Sequence, residues 1–255
     1  MQILSYNVNG LRAAIRNGLL EWLKDKPFDI LCFQEVKATP DQIDLLAFHF
    51  LGYELVGWYA AEKKGYSGVA IFAKLAADYC SKGCGITLYD QEGRIIRADF
   101  GELTIINAYF PSGTSGDTRQ AIKMQFLQDF QVWIDQLRQN RPKLIIVGDF
   151  NIAHQAIDIH DPVRNKNTTG FLPEEREWFT KWLKEDLTDT FRYTNPNLVA
   201  YSWWSYRAGA RVNNKGWRID YAIITDNLKN NIVQCTHFKE AVHADHCPVW
   251  LELSI

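Results

Sequence analysis

Apolar residues recur along this chain in short runs that stop at a polar tip. Stretches at about 2–7, 29–33, 53–59, 68–73, 94–100, 103–109, 143–148, 218–224, 231–238 and 247–254 are continuous or alternating, which predicts strands. A period near 3.6 puts Ile122, Phe126, Phe130, Trp133, Ile134 and Leu137 on one face and predicts a long helix over 117–139. A second helix is expected over 174–185, opened by Pro173 with acids in its first turn, and a shorter one over 18–25. Strands outnumber helices, and the helices fall between groups of strands rather than after each one. That order favours sheet packed on sheet with helices outside, a layered α/β sandwich, over a doubly wound parallel fold.

The polar tips are alike. "ILSYN" reaches Asn7 and Asn9, "ILCFQE" reaches Glu35, "TIINAY" reaches Tyr109, and "LIIVGDFN" reaches Asp149 and Asn151. Two further runs begin with the same chemistry, Asp220 entering "YAIIT" and Asp245 with His246 ahead of "CPVWLEL". One Asp after a strand is ordinarily a turn former or a helix cap. Repetition changes the reading, and Glu35 is a poor turn former, so convergence of these ends on one crevice is expected.

At 255 residues, with no Pro-rich linker and no repeat, the chain reads as one domain spanning 1–255. Five cysteines, odd in number and without a CxxC, read as reduced thiols and point to the cytoplasm. No signal-type N-terminus and no apolar run of the ~20 residues that span a bilayer is visible, so no membrane is expected as a partner. Lys and Arg number 28 against 30 Asp and Glu, a net charge of -2. A polyanionic partner must then be held by a local patch.

Clustered carboxylates raise one another's pKa unless a proton or cation neutralises them. Oxygen donors without Cys or His pairs at zinc spacing point to Mg²⁺, or Mn²⁺, rather than zinc. Mg²⁺ completes its shell with water and phosphate oxygens, which makes a phosphate ester the natural substrate class. No Ser-His-Asp elbow and no GxxxxGK[ST] loop offers another route.

Seven blocks in order, "NVNGLR" (7–12), "FQEVK" (33–37), "KKGYSGVAIF" (63–72), "GDFNIAH" (148–154), "YSWWSYRAGAR" (201–211), "GWRIDY" (216–221) and "DHCP" (245–248), resemble the exonuclease III family of AP endonucleases. That family lies within the endonuclease/exonuclease/phosphatase superfamily. The resemblance implies a four-layer αββα sandwich of two packed mixed sheets flanked by helices. It also implies a Mg²⁺ site and incision of double-stranded DNA 5′ to abasic sugars, often with removal of 3′ blocking groups or nucleotides. By position it implies Glu35 as the principal metal ligand with Asn7, Asn9 and Asp245 nearby, and Asp149 as the residue that orients or deprotonates water. Asn151 becomes a donor to phosphate, His246 a phosphate contact held by Asp220, and Tyr109 a phenol near the scissile group. A two-metal version assigns Asp149, Asn151 and His246 to a second ion. The chain departs from the family at Ala244, where a Ser is common, in "FPSG" after the tyrosine, and at Asn9, where some relatives carry Asp.

Aromatic rings interleaved with Arg207, Arg211, Lys215 and Arg218 offer a grip on phosphates and sugars. Trp203, Trp217 and Ile219 are expected in a pocket wall and Trp204 in the core, while the loops "EKKGYSG", with Lys64, and "PVRNKNTTG" are candidates for backbone contacts. A monomer is expected. The alternatives are a superfamily phosphoesterase acting on RNA, inositol phosphate or lipid, and a catalytically silent DNA-binding module.

Overall fold

A computed structural model describes residues 1–255. The strands are β1 (Gln2–Asn7), β2 (Ile30–Gln34), β3 (Glu54–Tyr59), β4 (Val69–Ala73), β5 (Tyr79–Lys82), β6 (Ile95–Phe100), β7 (Leu103–Tyr109), β8 (Lys143–Asp149), β9 (Leu187–Asp189), β10 (Asp220–Thr225), β11 (Ile232–His237) and β12 (Val249–Leu253). The helices are α1 (Leu11–Arg16), α2 (Leu19–Leu23), α3 (Leu45–His49), α4 (Thr87–Asp90), α5 (Asp117–Arg138), α6 (Pro173–Leu183) and α7 (Thr190–Thr194).

Two 6-stranded sheets form, in the orders β11-β12-β1-β2-β4-β3 and β5-β6-β7-β8-β10-β9. Both are mixed, because β1 runs parallel to β2 and β7 parallel to β8 while their other neighbours are antiparallel. The central strands are buried on both faces, which is why they read as unbroken apolar runs. Ile3 of β1 faces the other sheet with Ile30, Ile71, Ile105, Ile145 and Leu251, whereas Leu4 and Tyr6 face out under α1, α2 and α3. On the second sheet Ile106 and Ile146 lie beneath Phe126, Phe130 and Ile134 of α5 and Trp178 and Trp182 of α6. Alternation along a strand has thus built three apolar seams, and the four-layer αββα sandwich follows.

The expected strands are all present. The unforeseen ones, β5 and β9, are the two edges of the second sheet. β5 is half exposed and β9 has 3 residues, so neither carries a long buried pattern. The helix expected over 18–25 is α2, parted from α1 by Asn17 and by Gly18 at φ 94. No helix is long and apolar enough to cross a membrane, and all five cysteines are free.

A buried carboxamide pair ties the sheets together close to the strand ends. Gln34 Nε2 donates to Asn107 Oδ1 at 2.7 Å, and Asn107 Nδ2 donates to the carbonyls of Phe33 and Ala70 at 3.0 and 2.9 Å. The other constraint is Gly148, at φ +146, where a Cβ would lie 1.8 Å from the Ala108 carbonyl oxygen. Only glycine lets β8 pass β7 so closely just before Asp149.

Candidate active site

Register brings the polar tips together. Tyr109 lies opposite Asp149 across the parallel β7/β8 pair, Asp220 opposite Asp149 across the antiparallel β8/β10 pair, and Asn7 opposite Gln34, one residue before Glu35. Beyond these ends the backbone turns through left-handed conformations at Asn9 (φ 44), Glu35 (φ 50), Lys37 (φ 51) and Asn151 (φ 53). Each costs on the order of 1 kcal/mol or more in a residue other than glycine, and such conformations gather where a site needs a side chain aimed off the sheet. The crevice they surround is lined by Glu35, Tyr109, Asp149, Asn151, Asp245 and His246, with Trp203, Trp217 and Ile219 as one wall.

Asp149 is fixed from several sides. Its Oδ2 accepts from Asn7 Nδ2 at 2.8 Å and its Oδ1 from the Asn151 backbone N–H at 2.8 Å. Asn7, fully buried, also donates from Nδ2 to Glu35 Oε1 at 2.9 Å, so one carboxamide holds both acids. Asn151 Nδ2 donates to the Phe110 carbonyl at 3.0 Å and, more weakly, to Asp149 Oδ2 at 3.4 Å, so its second proton is the one an oxygen in the crevice could draw away. His246 Nδ1 is 2.8 Å from Asp220 Oδ2, an oxygen that also accepts from Ser202 Oγ at 2.6 Å. The other ring nitrogen, Nε2, lies 3.9 Å from Asp149 Oδ2 and is open to the crevice. Asp245 accepts from Asn9 Nδ2 at 2.9 Å and from Trp203 Nε1 at 3.1 Å.

Charge follows from this burial. Burial first, then the charge of Asp220, pushes the Asp149 carboxyl well above its ordinary range, against the pull of His246. Burial alone would lower the His246 imidazole, but Asp220, by charge and hydrogen bond, outweighs it with help from Asp149 and Asp245 and pushes it up to about 10. Burial would likewise raise Glu35, yet Lys37 at 2.8 Å and Asn7 hold it below its ordinary value. The Tyr109 phenol is raised well above its usual value by burial and by Glu35, so it stays protonated and can donate. Arg94, 4.8 Å from the Tyr109 ring centroid, donates to the Tyr109 carbonyl at 2.8 Å and fixes that ring from beneath.

The donor set fits a hard divalent cation. Ligand-type atoms of Glu35, Asp149 and His246 lie within 4.8 Å of one another. The upward shift of buried Asp149 marks a site short of positive charge, which such an ion would supply. Asp245, expected beside Glu35, lines the same crevice and is bonded to Asn9 and Trp203.

Two expected substrate contacts stand outside the lining. Lys64 lies in a neighbouring groove with Arg12 and Lys63, and Arg207 is exposed on the loop after Trp204. The grip on phosphates expected of Arg211 and Arg218 is corrected. Arg218 is fully buried, paired with Asp158 at 2.7 Å and Asp189 at 2.8 Å. Arg211 stacks on Trp204 and donates to the carbonyls of Lys239, Ala241 and Ala244, pinning the segment that leads to Asp245 and His246. Their guanidinium charge is spent inside the molecule. Sequence reasoning passed over Ser202, Lys37, Lys123 and Glu175. Lys37 and Ser202 stand inside quoted motifs, but a helix-face lysine such as Lys123 gives no sign that it will be buried.

Comparison with known proteins identifies the family. The Endonuclease/Exonuclease/phosphatase family model matches residues 4–240. An exodeoxyribonuclease of Bacillus subtilis is 42% identical over 100% of both chains, and the DNA repair nuclease APEX1 of Danio rerio is 36% identical over 100% of this chain and 83% of its own. Among solved structures, an AP endonuclease from Archaeoglobus fulgidus superposes with a TM-score of 0.91 at 29% identity, covering 100% of both chains. The 3′ phosphatase NExo from Neisseria, bound to product DNA hairpin, does so with 0.93 at 27%, again over 100% of both. With the sandwich, the convergent strand ends and these matches in agreement, the chain belongs to the Endonuclease/Exonuclease/phosphatase family and is an enzyme of its exodeoxyribonuclease and AP endonuclease type.

Proposed function

We propose that this protein is a Mg²⁺-dependent DNA-repair phosphodiesterase that incises duplex DNA on the 5′ side of an abasic sugar, with Mn²⁺ as a substitute ion. The same crevice is proposed to remove 3′ phosphates and 3′ nucleotides, a reading supported by the relatives named as a 3′ phosphatase and a 3′-5′ exonuclease. The observation that carries the proposal is the convergence of Glu35, Asp149 and His246 in a crevice walled by two indoles and Ile219. Glu35 and Asp245, with Asn7 and Asn9 beside them, would hold the ion, and the bound ion would offset charge on the phosphate oxygens; in the two-metal alternative Asp149, Asn151 and a neutral His246 would hold a second ion instead of acting on water and phosphate.

The chain's own residues supply the rest. Asp149, aimed by Asn7 and Asn151, takes a proton from water in its ionised form, which a bound cation would favour. As the water oxygen bonds to phosphorus, the bond from phosphorus to the 3′ oxygen breaks, and that oxygen takes a proton from solvent. His246, kept cationic by Asp220, offers Nε2–H to a phosphate oxygen, Asn151 a neutral amide proton, and Tyr109 a phenol. Trp203 and Trp217, perpendicular at 89°, give an apolar wall for a sugar turned out of the helix, which costs least where the base is already lost.

Asp149→Asn keeps the shape of the site and removes the base. Incision of an abasic duplex in Mg²⁺ should fall by roughly 10²–10⁴-fold with an unchanged circular dichroism spectrum, and EDTA should silence the parent enzyme. Undiminished turnover in the purified variant would sink the assignment, and a preference for RNA, inositol phosphate or lipid over the abasic duplex would redirect it.

A further inference from the structure

Beneath Asn151, outside the lining of the crevice, an ion pair is sealed from solvent. Lys123 of α5 and Glu175 of α6 are each 0% exposed, with Nζ 2.6 Å from Oε1. Taking two ions out of water is expensive, and a buried pair adds little stability over apolar residues of the same volume. The contacts give the pair another use. Lys123 Nζ donates to the backbone carbonyl of Asn151 at 2.8 Å. Glu175 Oε2 accepts from the N–H groups of Gly170 and Leu172 at 2.7 and 2.9 Å, and its Oε1 accepts from Gln120 Nε2 at 3.0 Å. Gln120 in turn accepts from the Thr169 hydroxyl at 2.6 Å. Thr169 and Gly170 line the crevice, and Gly170 returns a carbonyl to the Ala153 N–H at 2.7 Å.

The two ends of the pair therefore grip two different walls. Asn151 is left-handed at φ 53, and a donor held on its carbonyl restrains the torsion between its Cα and that carbonyl, and so the place of the residue whose N–H and side chain meet Asp149. A charged donor makes a stronger bond to that carbonyl than a neutral one. We propose that Lys123 and Glu175 are a positioning pair for the reaction, clamping the Asn151 peptide to the Thr169–Gly170 wall so that the amide donor and the wall keep a single spacing. This rests on the reading above, in which Asn151 serves the phosphate.

The experiment uses the full chain with Mg²⁺ and an abasic duplex. Lys123→Met should lower kcat by roughly 10- to 100-fold with KM within about twofold, the size seen when a supporting contact around a site is lost. Lys123→Arg should restore most of it. In Lys123→Met/Glu175→Gln no unpaired charge is buried, so Tm should recover while kcat stays low. A second readout needs no turnover: the amide ¹⁵N of Ile152, whose peptide contains the Asn151 carbonyl, should shift in Lys123→Met and in the double variant. A double variant that regains both Tm and kcat, or an unmoved Ile152 resonance, overturns the clamp. A parent enzyme that leaves abasic duplex intact overturns the functional reading instead, and the Ile152 resonance still decides the clamp.

Discussion

Glu35 shows how one residue joins backbone strain to chemistry. At φ 50 it leaves the line of β2 and turns its carboxylate toward Asn7 and Lys37 rather than continuing along the sheet. Lys37 holds it ionised, the form its proposed role toward a divalent cation requires. Glu35→Ala should therefore raise the Mg²⁺ concentration needed for half-maximal incision by about tenfold or more, and a metal titration that superposes on the parent's would remove Glu35 from the ion's shell. The carboxylate was legible in "FQE" because Glu makes a poor turn former. Lys37 was not, since a lysine two residues on gives no hint of which way a left-handed backbone will send it. Arg218 erred in the opposite direction: beside aromatic residues it looked like a phosphate contact, yet Asp158 and Asp189, distant in sequence, claim it in the interior.

Elements deliver these residues through register, and a strand can also carry a liability. β11 ends at His237, which stacks on Phe191 of α7 at 4.1 Å with neither ring nitrogen partnered. Burial, then Arg218 and Lys239, pushes its pKa down to about 3, with Arg192 acting the same way and Asp158 against them. The folded state thus binds a proton at His237 far more weakly than the unfolded chain, whose histidine titrates near pH 6.5. The stability that neutral His237 permits is complete above about pH 6.5 and is lost as pH falls from there toward 3, at up to about 1.4 kcal/mol per pH unit. His237→Phe should flatten this acid limb, so the urea midpoint should drop less between pH 7 and pH 4.5 than in the parent; equal drops would show that His237 carries no share. Strand positions were readable from their apolar runs, whereas β5 and β9, at the sheet edges, lacked the two-faced burial that makes such runs.

For the whole molecule, a net charge of -2 conceals a local excess of the opposite sign. Arg12, Lys63 and Lys64 outnumber Asp41 and Glu62 in one groove, and Arg12, Arg16 and the Glu35-paired Lys37 line the next with no acid, Arg12 and Gly65 being common to both. If about four phosphates are neutralised there, affinity for abasic duplex should fall on the order of 10²-fold between 50 and 200 mM salt. Lys63→Glu/Lys64→Glu should reduce the slope of log Kd against log salt; an unchanged slope would place the DNA track elsewhere.

The sequence by itself determined the sandwich and the identity of the polar tips. Strands buried on both faces are apolar at most positions, and a polar residue at the end of such a run stands out against it. The motif order also carried the family. Tertiary structure alone decided which charges are spent inside and which remain for a ligand. In sequence Arg211 and Arg218 look like phosphate contacts and Lys123 and Glu175 like solvated ions, and only packing brings them the carbonyls and counterions that remove them from water. Likewise the close grouping of Glu35, Asp149 and His246 depends on two sheets meeting at a fixed register, a distance between segments far apart in the chain that no local pattern encodes.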